Sequence, residues 1–144
     1  MTTVGELLDS KGHEVWSIGP SSSVYEALEM MADKNVSGLL ILDGSQLVGI
    51  FTERDYARKL VLQGRISRDT NVSDLMTKKV LYVKPSNTVS DCMNLMTAKR
   101  IRHLPVIDQE QLVGILTIGD LVKQIISEQQ STIDQMDNYI TGSY

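Results

Sequence analysis

Residues 49–55 read GIFTERD, and residues 114–120 read GILTIGD. In each copy a glycine and two apolar residues run into Thr-x-x-Asp, and a helical pattern follows. Gly49 and Gly114 stand 65 positions apart in a chain of 144 residues. Repetition at that period means two copies of one supersecondary unit. A half of about 60 residues buries a small fraction of its surface and would be marginal alone, so the two halves are expected to share one compact module.

The likeness extends outward from the motif. Residues 15–61 align on 80–126 without a gap. TVGELL (Thr3–Leu8) and NVSDLM (Asn71–Met76) each put a capping residue before Val and an acid in the first turn, as a helix start prefers. β-prone stretches follow, Val15–Ile18 and Val80–Val83, and each runs into a turn at Pro20-Ser21 or Pro85-Ser86. Ser23-x-x-Glu26 is a capping box and Thr88-x-x-Asp91 a weaker one. Behind them Val24, Ala27, Leu28 and Met31 form a helical stripe, repeated by Val89, Cys92, Met93 and Met96. LLIL (Leu39–Leu42) and QLVGIFT, joined through Asp43-Gly44, read as a hairpin. LPVI (Leu104–Ile107) and QLVGILT, joined through Asp108-Gln109-Glu110, read as its counterpart. Second helices run from about Glu53 to Gln63 and from about Ile118 onward.

Each half is therefore helix, strand, helix, strand, strand, helix. The expected fold is α+β, with two repeats packed sheet to sheet around a pseudo-two-fold axis. Repeat boundaries fall at 1–66 and 67–128, with 62–71 as the polar connector. Residues 129–144 form a tail expected to be a further helix, whose Ile133, Met136 and Ile140 pack on the module or on a second subunit.

Composition narrows the function classes. A formal charge of −4 offers no basic field for nucleic acid. No run approaches the roughly 18 apolar residues of a membrane span, and the N-terminus lacks the basic and apolar regions of a signal peptide. The single cysteine, Cys92, excludes an internal disulfide and a cysteine-rich zinc site, and its place on a helix stripe reads as core. A cytoplasmic protein is expected. No nucleophile–base pair, metal-ligand cluster, P-loop or G-x-G-x-x-G occurs, so catalysis is not expected.

Duplicated units ending in G-h-h-[ST]-x-x-D, opened by Pro-Ser-x-x-Val and carrying RHLPVID (Arg102–Asp108), resemble a tandem pair of CBS (cystathionine β-synthase) domains, a Bateman module. The resemblance covers about residues 3–128 and is closest to small stand-alone bacterial CBS-pair proteins. It implies a regulatory sensor that holds AMP, ADP, ATP, NAD or S-adenosylmethionine in clefts between the repeats, with AMP or NAD foremost. It also implies a homodimer of four repeats and a regulated protein partner. The alternative is a ligand-independent dimerisation module with non-functional pockets.

The residues suit such a ligand. One ionised carboxylate accepts from both hydroxyls of a ribose cis-diol, and Asp55 and Asp120 fit that role at helix starts, where a phosphate is also favoured. Thr52 and Thr117 offer hydroxyls to the same phosphate. Thr-x-x-Asp is also an ordinary helix cap. The resemblance carries Arg102 and His103 to the phosphate, with Lys78 and Lys79 as further cations. Arg102 can equally solvate a surface turn. Arg54 can reach a phosphate or pair with Glu53 or Asp55 on the surface. Ile18, Leu39, Tyr82, Leu104 and Pro105 are candidate walls for adenine, and each is also a plausible core residue. Where the second repeat has Arg102-His103, the first has Ser37-Gly38, so two unequal sites are expected, with the Thr117–Asp120 site the one to fill if only one does.

Overall fold

A computed structural model describes residues 2–141; Met1 and the last three residues of the expected tail lie outside the described residues. In chain order the elements are α1 (Val4–Lys11), β1 (Ser17–Ile18), α2 (Val24–Lys34), β2 (Gly38–Asp43), β3 (Gln46–Thr52) and α3 (Glu53–Asp55). After α3 the chain widens into a π-helical segment (Tyr56–Val61), in which Leu62 N–H donates to the Ala57 carbonyl at 3.4 Å. A 3-10 turn (Ser67–Asp69), α4 (Val72–Leu75), α5 (Val89–Lys99), β4 (His103–Asp108), β5 (Gln111–Thr117) and α6 (Ile118–Thr141) complete it.

The chain forms two compact units. One comprises Glu14–Tyr82, the Asp55 unit; the other joins the residues up to His13 with those from Val83 onward, the Asp120 unit. The sequence repeats, 1–66 and 67–128, are thus partitioned differently from the compact units, because each leading helix belongs with the strands of the other repeat. Backbone hydrogen bonds account for this. In the Asp120 unit Val4 N–H donates to the Asn87 carbonyl (2.8 Å) and Gly5 N–H to the Pro85 carbonyl (3.0 Å). In the Asp55 unit Val72 N–H donates to Ser22 (2.9 Å) and Ser73 N–H to Pro20 (3.2 Å). Each Pro-Ser turn therefore supplies acceptors for the otherwise unpaired first amides of a helix.

The Asp55 unit holds a three-stranded sheet, β1 parallel to β2 and β2 antiparallel to β3. Its core gathers Val24, Ala27 and Met31 from α2, Leu39, Ile41 and Phe51 from the hairpin, and Val72 and Leu75 from α4. The Asp120 unit holds the β4–β5 hairpin, with a bulge between Val106 and Ile107 where the first hairpin has one between Ile41 and Leu42. Its core gathers Val4 and Leu8 from α1, Val89, Cys92 and Met96 from α5, then Leu104, Leu116 and Leu121. Burial of the Cys92 thiol raises its pKa to about 11, which fits the core reading.

The β-prone stretch at Val80–Val83 yields only a parallel bridge between Val83 and Val106, not a strand. Pro105 explains the difference. In the Asp55 unit the Leu40 amide donates to the Trp16 carbonyl at 3.3 Å. The position corresponding to Leu40 is Pro105, which has no N–H to offer Leu81.

The glycine of the motif also gains a reason. A Cβ on Gly114 would stand 2.8 Å from Leu8 Cδ2, and one on Gly49 2.8 Å from Met76 Cγ. Without a Cβ at these positions the strand packs directly onto the Leu8 and Met76 side chains, which would have to shift to admit one.

The tail is a continuation of α6 and not a further helix. No proline or glycine interrupts 120–141, and Gln130→Asp134 (3.0 Å) joins side chains four residues apart. Ile133 is 51% exposed and Ile140 78%, so the described chain does not cover the tail's apolar residues.

Candidate functional site

Each Thr-x-x-Asp forms a reciprocal cap at the junction of a strand and a helix. Asp55 N–H donates to Thr52 Oγ1 at 3.3 Å, and Thr52 N–H donates back to Asp55 Oδ2 at 3.0 Å. Asp120 N–H donates to Thr117 Oγ1 at 3.2 Å, and Thr117 N–H to Asp120 Oδ2 at 2.8 Å. The capping use of the motif is therefore realised in both copies, and it aims each carboxylate at a fixed place.

The two carboxylates then differ. Asp55 is only 8% exposed. Thr52 Oγ1 donates to its Oδ2 at 3.1 Å and Thr77 Oγ1 to its Oδ1 at 3.4 Å. Lys59 Nζ, four residues along the widened helix, lies 3.0 Å from Oδ1 and also donates to the Leu75 carbonyl at 3.1 Å. Both oxygens are engaged from within the unit. Asp120 is more open, and its side chain remains 19% exposed. Lys11 Nζ, from the end of α1, lies 2.6 Å from Asp120 Oδ2 and donates to the Ile115 carbonyl, also at 2.6 Å. Burial pushes the Asp120 pKa up, but the Lys11 and Thr117 hydrogen bonds outweigh it and hold the carboxyl below its ordinary range.

His103 stands opposite Thr117 in the β4–β5 register. Burial lowers its pKa, the charges of Lys11 and Arg102 lower it further, and Asp120 opposes them. Its ring is consequently neutral near pH 7, with two cations and a carboxylate close enough to be felt. Arg102 is exposed, and its carbonyl accepts the first amide of α6, from Ile118, at 3.0 Å. Ser37 does the same for Glu53 at 3.0 Å, so Ser37-Gly38 and Arg102-His103 hold equivalent places.

The sequence-derived site residues fall into two groups. Arg102, His103, Leu104, Pro105, Thr117 and Asp120 share the Asp120 unit, at the start of β4, the end of β5 and the first turn of α6. Ile18, Leu39, Thr52, Arg54, Asp55, Lys79 and Tyr82 share the Asp55 unit. Leu39 and Leu104 are fully buried in their cores, and Pro105 is buried beside Leu104. Ile18 is half-buried; Arg54, Lys79 and Tyr82 are exposed. Sequence reasoning missed Lys11, Lys59 and Thr77. Lys59 carried a local signal, being four residues after Asp55 on one helix face. Lys11 carried none, since 109 residues separate it from Asp120. Among the described residues no group of His, Cys, Asp and Glu is placed to hold a metal ion, and no helix is long and apolar enough to cross a membrane.

Two linked α+β repeats, each ending in a capped strand–helix junction, define a tandem CBS-domain protein. The CBS domain family matches residues 4–62 and 72–127, and the chain belongs to it. It is 39% identical over 153 aligned positions to the mitochondrial CBS domain-containing protein CBSX3 of Arabidopsis thaliana, covering 99% of this chain and 74% of the relative. A protein with CBS domains from Burkholderia ambifaria superposes with a TM-score of 0.86 at 47% identity, over 89% of this chain and 96% of that one. The CBS domain pair of protein MJ0100, solved in complex with 5′-methylthioadenosine and S-adenosyl-L-methionine, superposes at 0.79 with 25% identity, over 89% of this chain and 98% of that one.

Proposed function

We propose that this protein is a regulatory sensor of adenosine nucleotides, with AMP, ADP, ATP or NAD as ligand, that acts through ligand-dependent geometry of its repeats in a homodimer. The observation that carries the reading is the Asp120 junction. A carboxylate held ionised and partly open by its cap sits with Lys11 on it and with Arg102 and His103 at the neighbouring strand start. An acceptor for a ribose diol next to cations for a phosphate is the donor and acceptor set a nucleotide needs. The adenosine ligands of the MJ0100 pair support the ligand class. The reading assigns binding and not catalysis. A ligand with different affinities for two packings of the repeats would shift their populations, and a regulated protein would respond to the shift.

The exposed tail residues Ile133, Met136 and Ile140 support a second subunit as the partner of α6. A cytoplasmic location fits a protein of this kind, although one relative is mitochondrial by name. The enclosed Asp55 favours unequal sites, with the Thr117–Asp120 site filling first. It also motivates the competing reading, a dimerisation module with no ligand at all, because at Asp55 the motif's acceptors are already consumed.

Thermal melting with AMP, ADP, ATP, NAD and S-adenosylmethionine, each added singly, separates the two. A ligand at 100 times its dissociation constant stabilises the folded state by about 2.7 kcal/mol. The sensor reading expects at least one such shift. Unchanged melting with every compound leaves the dimerisation module as the answer.

A further inference from the structure

The Lys11–Asp120 pair points to a property of the site that the nucleotide reading alone does not contain. Lys11 is the last residue of α1, its side chain is 27% exposed, and its ammonium is shared between Asp120 Oδ2 and the Ile115 carbonyl, each at 2.6 Å. An ammonium in hydrogen-bond contact with a carboxylate oxygen occupies the position a ribose hydroxyl would take. Thr117 N–H and Lys11 already fill both lone pairs of Oδ2, so a ribose diol that takes both carboxylate oxygens displaces Lys11.

Displacement has a different cost for different ligands. Lysine is a compact charge on a flexible four-carbon stem, so the freed ammonium can swing several ångströms without moving α1. If the ligand carries a 5′-phosphate, the ammonium exchanges one anion for another. If the 5′ substituent is uncharged, the ammonium is left among Arg102 and His103 with no new counter-charge, and the pair it lost is not replaced. We propose that Lys11 is the specificity-determining residue of the Asp120 site: it holds the empty carboxylate, yields it to the ribose, and selects 5′-phosphorylated adenosines over uncharged ones by passing to the phosphate.

The Asp55 junction sharpens the point. There the side chain reaching the carboxylate from the segment after α4 is the Thr77 hydroxyl, 3.4 Å from Oδ1. Lys59 does bring a charge to Oδ1 there, at 3.0 Å, but Asp55 is only 8% exposed and both of its oxygens are engaged from within the unit, so the selection is assigned to the Asp120 site. The inference rests on the nucleotide-sensor reading, and the test distinguishes their failures.

Isothermal titration of the full chain with AMP and with 5′-methylthioadenosine compares ligands that share adenine and ribose and differ at the 5′ substituent. The wild type is expected to prefer AMP by about tenfold or more, the scale of one charged hydrogen bond. In Lys11→Met and Lys11→Gln, AMP weakens and 5′-methylthioadenosine tightens, so the preference collapses to within about threefold. A preference that survives intact in both folded variants overturns the role of Lys11 while leaving the sensor standing. Failure of the wild type to bind either compound overturns this inference, while the sensor reading is decided by the melting series with ADP, ATP, NAD and S-adenosylmethionine.

Discussion

Lys11 Nζ and Asp120 Oδ2 lie 2.6 Å apart, so the end of α1 is fastened to the first turn of α6 by an ion pair. The pair sets a pH dependence. Burial raises the Asp120 pKa, but the hydrogen bonds from Lys11 and Thr117 lower it more, and the folded value falls below the ordinary 3.8. A depressed folded value gives stability that is present above the unfolded value and lost as pH falls through the folded one. Asp120→Asn should therefore flatten the loss of stability below pH 3.8, read by urea unfolding at pH 7 and pH 3. An unchanged acid slope would show that the carboxylate gains nothing from its partners.

The two histidines should separate in a proton NMR titration. The Val113 carbonyl and then Asp9 raise the pKa of His13 above its ordinary 6.5. Burial, then Lys11 and Arg102, lower that of His103 below 6.5. The stabilisation from His13 is present below pH 6.5 and lost as pH rises through its folded value; that from His103 is present above pH 6.5 and lost as pH falls through its own. Coincident midpoints, or the reverse order, would contradict the surroundings assigned to both rings.

The placement of α1 can be tested by a double-mutant cycle. Gly114→Ala puts a Cβ 2.8 Å from Leu8 Cδ2, and overpacking of this kind costs about 1–3 kcal/mol. Leu8→Ala removes a buried leucine at about 2–5 kcal/mol. The double mutant should be more stable than the sum of the two losses allows, with a coupling of at least about 0.5 kcal/mol. Strict additivity would mean that Leu8 is not the neighbour of Gly114.

The second hairpin carries avoidable strain. Gln109 (φ 49°) and Glu110 (φ 65°) both sit in the left-handed region, where the first hairpin has Gly44 at φ 62°. Replacing them by Asn-Gly, the pair such a turn prefers, should stabilise the Asp120 unit by about 1 kcal/mol in thermal unfolding. A lower melting temperature would contradict the turn geometry.

Local patterns carried much of this architecture. The capping boxes at Ser23-Glu26 and Thr88-Asp91, the α2 and α5 stripes, both hairpins and the repeated junction were legible because their partners lie within a few residues of one another. The seat of the leading helices was not. Gly49 and Gly114 offer similar grooves, and Pro20-Ser21 and Pro85-Ser86 similar acceptors, so nothing in TVGELL marks which copy it joins. Lys11 was invisible for the same reason. The loss of a strand at Val80–Val83 was readable in principle, because Pro105 removes the amide its neighbour would need. The unbroken α6 was obscured by polar 127–132, which resembles a linker until the helix is seen to run through it.

The central claim is that the Asp120 junction, and not the enclosed Asp55 junction, is the principal nucleotide anchor. Titration of AMP into the wild type, Asp120→Ala and Asp55→Asn tests it most directly. The account predicts that Asp120→Ala abolishes binding, or weakens it at least about tenfold, while Asp55→Asn retains it within a few-fold. Undiminished binding by Asp120→Ala, with binding lost in a folded Asp55→Asn, would contradict it.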